Sequence, residues 1–177
     1  MAASPLVRIA LVSGLRGSLP CSTFARQSDH EFLVATTSIA PGLRIIVLAV
    51  GRLRPPYQDD VQHYQKLIAG HARVEVIEVR EDERVPKRLP ERAFTVLLAA
   101  DGKTFDSEGF SGFIEQRRQA GLDLVFVIGG PRGIDLEHCD LRLSLGPMTL
   151  PHQLARVVLL EQLYRGHKIL AREPYHY

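Results

Sequence analysis

Residues 143–177, LSLGPMTLPHQLARVVLLEQLYRGHKILAREPYHY, decide how this chain is read. They pass from a short apolar strand through a Gly-Pro loop and a proline-marked helix start into a long helix, and close on an aromatic-histidine tail. A second loop, Ile128-Gly129-Gly130-Pro131-Arg132-Gly133, lies just upstream and follows another apolar strand. Open α/β sheets bind ligands in the crevice at the carboxyl ends of their strands. Two glycine- and proline-rich loops after two apolar strands therefore predict a ligand gripped by backbone groups.

Working outward, residues 43–50 (LRIIVLAV) form a nearly continuous apolar run, which fits a strand buried on both faces of a parallel sheet. Gly51 ends it, Pro56 suits a first helical turn, and Tyr57, Val61, Tyr64 and Ile68 recur at helical spacing up to a C-cap at Gly70. Residues 73–79 (RVEVIEV) alternate like a half-buried strand, and 80–92, with Pro86 and Pro90, reads as loop. Residues 93–100 form a buried strand stopped by Asp101-Gly102. Ser107 can cap a helix ending before Gly121. Residues 123–128 form the next strand, 134–139 a short helical turn, 141–145 a short strand and 152–170 the long final helix. This alternation predicts one α/β domain with a mainly parallel sheet.

The final helix is apolar all round at Val157-Val158-Leu159-Leu160, with Leu154, Leu163 and Tyr164 extending the stripe. A helix of that kind needs cover on every side. A second subunit is the simplest cover, so a homodimer is expected; the alternative is a groove within the monomer.

Composition narrows the class. The chain has 177 residues, 45% hydrophobic and 24% charged, which suits a single globular domain. A net charge of +2 creates no global field that demands nucleic acid. Cys21 and Cys139 form no disulfide framework and show no metal spacing, so a reducing cytoplasm and a metal-free protein are expected. No apolar run approaches the roughly 20 residues that span a bilayer. Residues 1–42 are richer in Ser, Thr, Ala and Arg. Arg8 and Gly14 break any signal-peptide core. A transit-like or regulatory tail competes with the simpler expectation of a poorly ordered extension, with the natural start near Leu43 and the domain proper at 43–177.

Gly129-Gly130-Pro131-x-Gly133, Leu143-Ser144-Leu145, Met148-Thr149-Leu150-Pro151-His152, Arg156, Glu161-Gln162-Leu163-Tyr164-Arg165, Lys168-Ile169 and Tyr175-His176 together closely resemble the RlmH family. These are the small SPOUT methyltransferases that modify a pseudouridine in large-subunit (23S) ribosomal RNA. The opening strand with Gly51-Arg52-Leu53 is similar as well, so the resemblance covers residues 43–177. It implies a SPOUT-type sheet with helices on both faces, a C-terminal trefoil knot, a homodimer, and S-adenosylmethionine as methyl donor. Carried over position by position, it places the donor against Leu98, Gly129, and the run Leu145, Gly146, Pro147, Met148, Thr149 and Leu150. Gly146-Pro147 stands where family members vary, so no side-chain role carries over there. The 80–92 connection is shorter than the family's helical insert, and residues 1–42 lie outside the family pattern.

The implied reaction methylates N3 of pseudouridine, an imide nitrogen that must lose its proton. His152, directly after the cofactor loop, and Tyr175 and His176 in the tail are candidate catalytic groups. His152 can equally be a polar residue satisfied at a helix start, and the tail can be a frayed terminus. Arg156, Arg165 and Lys168 are candidate RNA contacts, although one charged helix face is ordinarily just solvated. So small and weakly charged a domain is expected to need the assembled ribosome for specificity. Two rivals remain. One is a nucleotide-binding enzyme, against which neither GxxxxGK[ST] nor GxGxxG appears. The other is a catalytically inactive ribosome- or RNA-binding module of the same fold.

Overall fold

A computed structural model of the chain describes residues 42–175. The expectation for the leader falls, apart from Gly42, outside these residues, as does the one for His176. The elements are β1 (Arg44–Val50), α1 (Tyr57–Ile68), β2 (Arg73–Val79), β3 (Ala93–Lys103), α2 (Ser107–Ala120), β4 (Asp123–Ile128), β5 (Leu141–Leu143) and α3 (His152–Leu170).

The five strands form one parallel sheet in the order β2-β1-β4-β3-β5. Its register explains the apolar run of β1, which lies between β2 and β4, with Val47 opposite both Val76 and Phe126. From Ile45 to Val50 every residue of β1 is buried. Ile45, Val47 and Ala49 pack with Val61 and Ile68 of α1, Phe110 of α2, and Leu159, Leu160 and Leu163 of α3. Ile46, Leu48 and Val50 pack on the opposite face with Val79, Val85, Leu97, Val125 and Val127. Fully burying each such aliphatic chain stabilises the fold by about 1.5–3 kcal/mol.

All three α-helices share the first face. The second is covered by the 3₁₀ turns Asp82–Arg84 and Pro86–Arg88 and by Ile134, Leu136 and Cys139. Helices on both faces thus take the form of α-helices on one and single 3₁₀ turns on the other. The final helix packs against both α1 and α2, and Val157, Val158 and Tyr164 remain half-buried.

Several local expectations are corrected. Asp106, in extended conformation, caps α2 by accepting from the Gly109 amide at 2.7 Å, so Ser107 is the first helical residue rather than the cap. The last turn of α1 closes at Ala69, one residue before Gly70. Residues 134–139 make no helical turn. There the Asp135 carboxylate accepts the Leu136 amide at 3.1 Å and one guanidinium bond of Arg142 at 3.2 Å, local bonding that competes with a helix.

The third strand does not stop at Asp101-Gly102. Leu98 and Lys103 both pair with Leu143, so the residues between them bulge around β5. A Cβ on Gly102 would lie 2.6 Å from the Leu143 carbonyl carbon. Only glycine permits that contact.

Candidate active site

Because every strand is parallel, β3, β4 and β5 all deliver their carboxyl ends to one edge of the sheet. There a cavity of about 700 Å³ opens. Its walls come from three stretches: Leu98 to Asp101 in the last part of β3, Ile128 to Ile134 at and after the end of β4, and Arg142 to Ala155 around β5 and the start of α3. Leu98, Gly129, Leu145, Gly146, Met148, Thr149 and Leu150 all line it. Pro147 does not, although its neighbours do.

Each loop is held by its own bonds. The Gly133 amide donates to the Gly130 carbonyl at 2.9 Å and closes the first into a tight turn. A Cβ on Gly129 would meet the Ile134 nitrogen at 2.6 Å. The glycine expected to let a ligand approach thus first lets its own loop fold back. In the second loop the buried Ser144 hydroxyl donates to the Gly146 carbonyl at 2.9 Å and accepts from the Gly146 amide at 3.3 Å. At Gly133 and Gly146 an added Cβ would meet nothing within 4 Å, so these backbone positions border open space.

Asp101 and Arg142 are wall residues that sequence reasoning missed. The Arg142 guanidinium donates to Asp101 at 2.9 Å and to Asp135 at 3.2 Å, which clasps β5 to the β3 bulge and to the segment after β4. The Arg142 bond holds the Asp101 carboxyl below its ordinary range. The partners lie 41 and 7 residues from Arg142, with no periodicity to betray them.

His152 opens α3 and lines the cavity. Burial, and then the nearby Arg156 charge, lower its pKa, so the imidazole is neutral at neutral pH. Arg156 is 0% exposed. It donates to the carbonyls of Val50 at 2.7 Å and Gly51 at 2.9 Å, with Glu78 at 3.8 Å. The expected phosphate contact does not fit an enclosed guanidinium; Arg156 braces the end of β1. The other two expected RNA contacts are engaged within the chain. Arg165 pairs with Glu161 at 2.8 Å and lies 4.4 Å from the Tyr175 ring centre, while Lys168 pairs with Glu173.

Tyr175 donates its hydroxyl to Glu161 and packs beside Tyr164. Burial and that carboxylate push its pKa up to about 12. His152 lines the cavity and Tyr175 does not.

The model of a family described as "Predicted SPOUT methyltransferase" matches residues 43–176. The chain belongs to the SPOUT methyltransferase family. Curated relatives of this SPOUT chain include proteins named ribosomal RNA large subunit methyltransferase H. The one from Carboxydothermus hydrogenoformans is 36% identical over 158 residues, covering 76% of this chain and 99% of the relative. Those from Acetivibrio thermocellus and Bifidobacterium animalis subsp. lactis are each 39% identical with the same coverage. In this SPOUT fold the match takes in β1 through α3, and so every wall of the cavity. Among the described residues no helix is long and apolar enough to cross a membrane, and no cluster of three His, Cys, Asp or Glu could hold a metal.

Proposed function

We propose that this chain transfers the methyl group of S-adenosylmethionine to N3 of a pseudouridine in large-subunit ribosomal RNA, acting on the assembled ribosome. The observation that carries this reading is the single cavity into which Leu98, Gly129 and the 145–150 loop converge from three separate strand ends. The name that the relatives share, ribosomal RNA large subunit methyltransferase H, supplies the substrate class.

The cavity suits such a donor. Its volume, about 700 Å³, lies within the range of small-molecule sites. Leu98, Leu145 and Leu150 offer apolar walls for an adenine face, and the open backbone at Gly133 and Gly146 leaves room for polar groups to approach. The bound donor supplies a methyl carbon on a sulfonium, open to attack by a nitrogen lone pair.

The chain's own contribution is alignment and a proton acceptor. Stiff loops closed by Ser144 and by the Gly130–Gly133 turn hold the donor in one pose. Neutral His152 at the rim has a lone-pair nitrogen that can take the imide proton and pass it to solvent. Neighbouring Arg156 disfavours a lasting imidazolium, which suits transient proton transfer.

A homodimer and the family's trefoil knot belong to the same proposal. The half-buried Val157 and Val158 favour a second copy on α3. The fastening of Tyr175 to α3, away from its own cavity, also fits a tail that serves a neighbouring subunit.

Large subunits from a strain lacking the modification, incubated with the protein and labelled donor, test the reading. Nucleoside mass spectrometry should show N3-methylpseudouridine. Its absence defeats the enzyme; binding to subunits with no methyl transfer would favour the inactive-module alternative.

A further inference from the structure

The cations first expected to hold RNA are internally paired or buried, which leaves the question of what does. The loop 51–56, GRLRPP, follows β1 and is fixed unusually well for a connection. The Gly51 amide donates to the Val79 carbonyl at 2.8 Å, the Leu53 amide to Glu78 at 2.9 Å, and the Arg54 amide to the Gln153 side chain of α3 at 2.9 Å. The buried Arg156 guanidinium holds the Gly51 carbonyl from below. A Cβ on Gly51 would lie 3.6 Å from His152 Nε2, so the loop abuts a cavity wall.

On this fixed backbone Arg52 and Arg54 are exposed, and among the described residues neither has an ion-pair partner. Arg132 is also exposed and, among the described residues, has no ion-pair partner. It stands between Pro131 and Gly133, both in the cavity wall, on a loop whose Gly130 would bring a Cβ within 3.4 Å of Val50. The two loops therefore meet at the end of β1. Glu78, the acid bonded to the Leu53 amide, lies 3.8 Å from the buried Arg156 guanidinium and faces its charge from below the loop.

We infer that Arg52, Arg54 and Arg132 form a rigid basic lip that seats the phosphate backbone flanking the target nucleotide beside the methyl-donor cavity. The inference rests on the RNA-methyltransferase reading and assigns its substrate-docking surface. Rigidity is what distinguishes the lip from an ordinary solvated charge. An arginine on an already fixed loop loses only side-chain freedom on binding, so more of its contact energy appears as affinity. Guanidinium groups also match phosphate geometry through paired donors. The modest overall charge is then sufficient, because three unpaired cations lie beside the one place where the RNA must come close.

The test replaces Arg52, Arg54 and Arg132 together with Gln, and in a second protein with Lys. Binding to unmodified large ribosomal subunits is followed against salt, donor binding is followed by calorimetry with S-adenosylhomocysteine, and methyl transfer is assayed separately. The Gln protein should bind subunits roughly tenfold or more weakly, with its log K against log salt slope shallower by about 2, as expected for three lost phosphate contacts. Its affinity for S-adenosylhomocysteine should be unchanged, and the Lys protein should recover the slope. An unchanged slope overturns the lip, and so does a parallel loss of S-adenosylhomocysteine binding, which would mean that the arginines only support the cavity. A wild-type chain that binds subunits through these arginines yet transfers no methyl group leaves the lip standing and refutes the enzyme reading.

Discussion

The Arg156 guanidinium donates to the Gly51 carbonyl at 2.9 Å, joining residues 105 positions apart. With its second bond, to Val50, it ties the second turn of α3 to the end of β1. Burial disfavours the charge and lowers the Arg156 pKa, and the Glu78 carboxylate partly offsets this. Two of its nitrogens, Nε and Nη1, are buried without a hydrogen-bond partner. The arrangement sets His152, one turn earlier on the helix, against Gly51 and beside a positive charge.

Replacing Arg156 with Met should strand both carbonyls and lower stability by about 1.5–3 kcal/mol, a range set by hydrogen bonds to charged groups. Arg156→Lys should rescue little of this, because a single ammonium cannot reproduce the fork. Denaturant unfolding measures both proteins. The His152 pKa, followed by NMR, should rise in Arg156→Met, since one of its two lowering influences is gone. An unchanged value would remove the link between these residues.

The pH profile of methyl transfer follows from the same pair. Burial and Arg156 depress the His152 pKa, so the imidazole stays neutral further into the acid range than an ordinary histidine. The log kcat/KM should therefore be flat through neutrality and fall only below the ordinary histidine value, as the proton-accepting form is lost. His152→Asn should abolish this acid limb. An acid limb of unchanged position in that variant would show that another group is the acceptor.

Stability should show a separate acid dependence at His167. This residue is 5% exposed, its ring stacks on His71 at 5.8 Å, and burial pushes its pKa down to about 4. Between that value and the ordinary 6.5 the unfolded chain binds a proton that the folded chain refuses, so stability falls as pH drops through this window. The loss should approach about 3 kcal/mol. In His167→Phe, which also removes a buried unpartnered Nε2, the melting temperature should depend less on pH between 6.5 and 4.

Gly102→Ala should damage the cavity from outside it. The added Cβ meets backbone atoms of residues 142 and 143 at 2.6–2.7 Å, which have no side-chain freedom to yield. A destabilisation of about 1–3 kcal/mol is expected, typical of overpacking. Weaker binding of S-adenosylhomocysteine by calorimetry should accompany it, since Leu143 borders the cavity. Ala at Gly70, where a Cβ meets nothing within 4 Å, provides the control.

What sequence made legible was whatever repeats along the chain. The apolar runs of β1 and β4 and the helical spacing of α1 and α3 placed these elements with little error, because burial imposes those periods. Asp106 and Ser107 can both cap by side-chain chemistry, and only the backbone conformation separates them. The extension of β3 through Asp101-Gly102 was hidden because a turn-like dipeptide there serves a bulge around β5. At the site, the glycine loops were legible through composition and family resemblance. Arg156 reads as exposed, as a helical arginine ordinarily is, because the two carbonyls that accept from it lie over a hundred residues away. The Asp101–Arg142 clasp had no local signal at all.

In the proposed site the donor lies among Leu98, Gly129 and the 145–150 loop. Backbone amide NMR of the isotopically labelled protein, titrated with S-adenosylhomocysteine, tests this most directly. The largest shifts should fall on Leu98, Gly129, Gly130, Leu145, Gly146, Met148 and Leu150, with smaller ones at His152. Saturable shifts centred elsewhere, or none at millimolar ligand, would rule out this donor site.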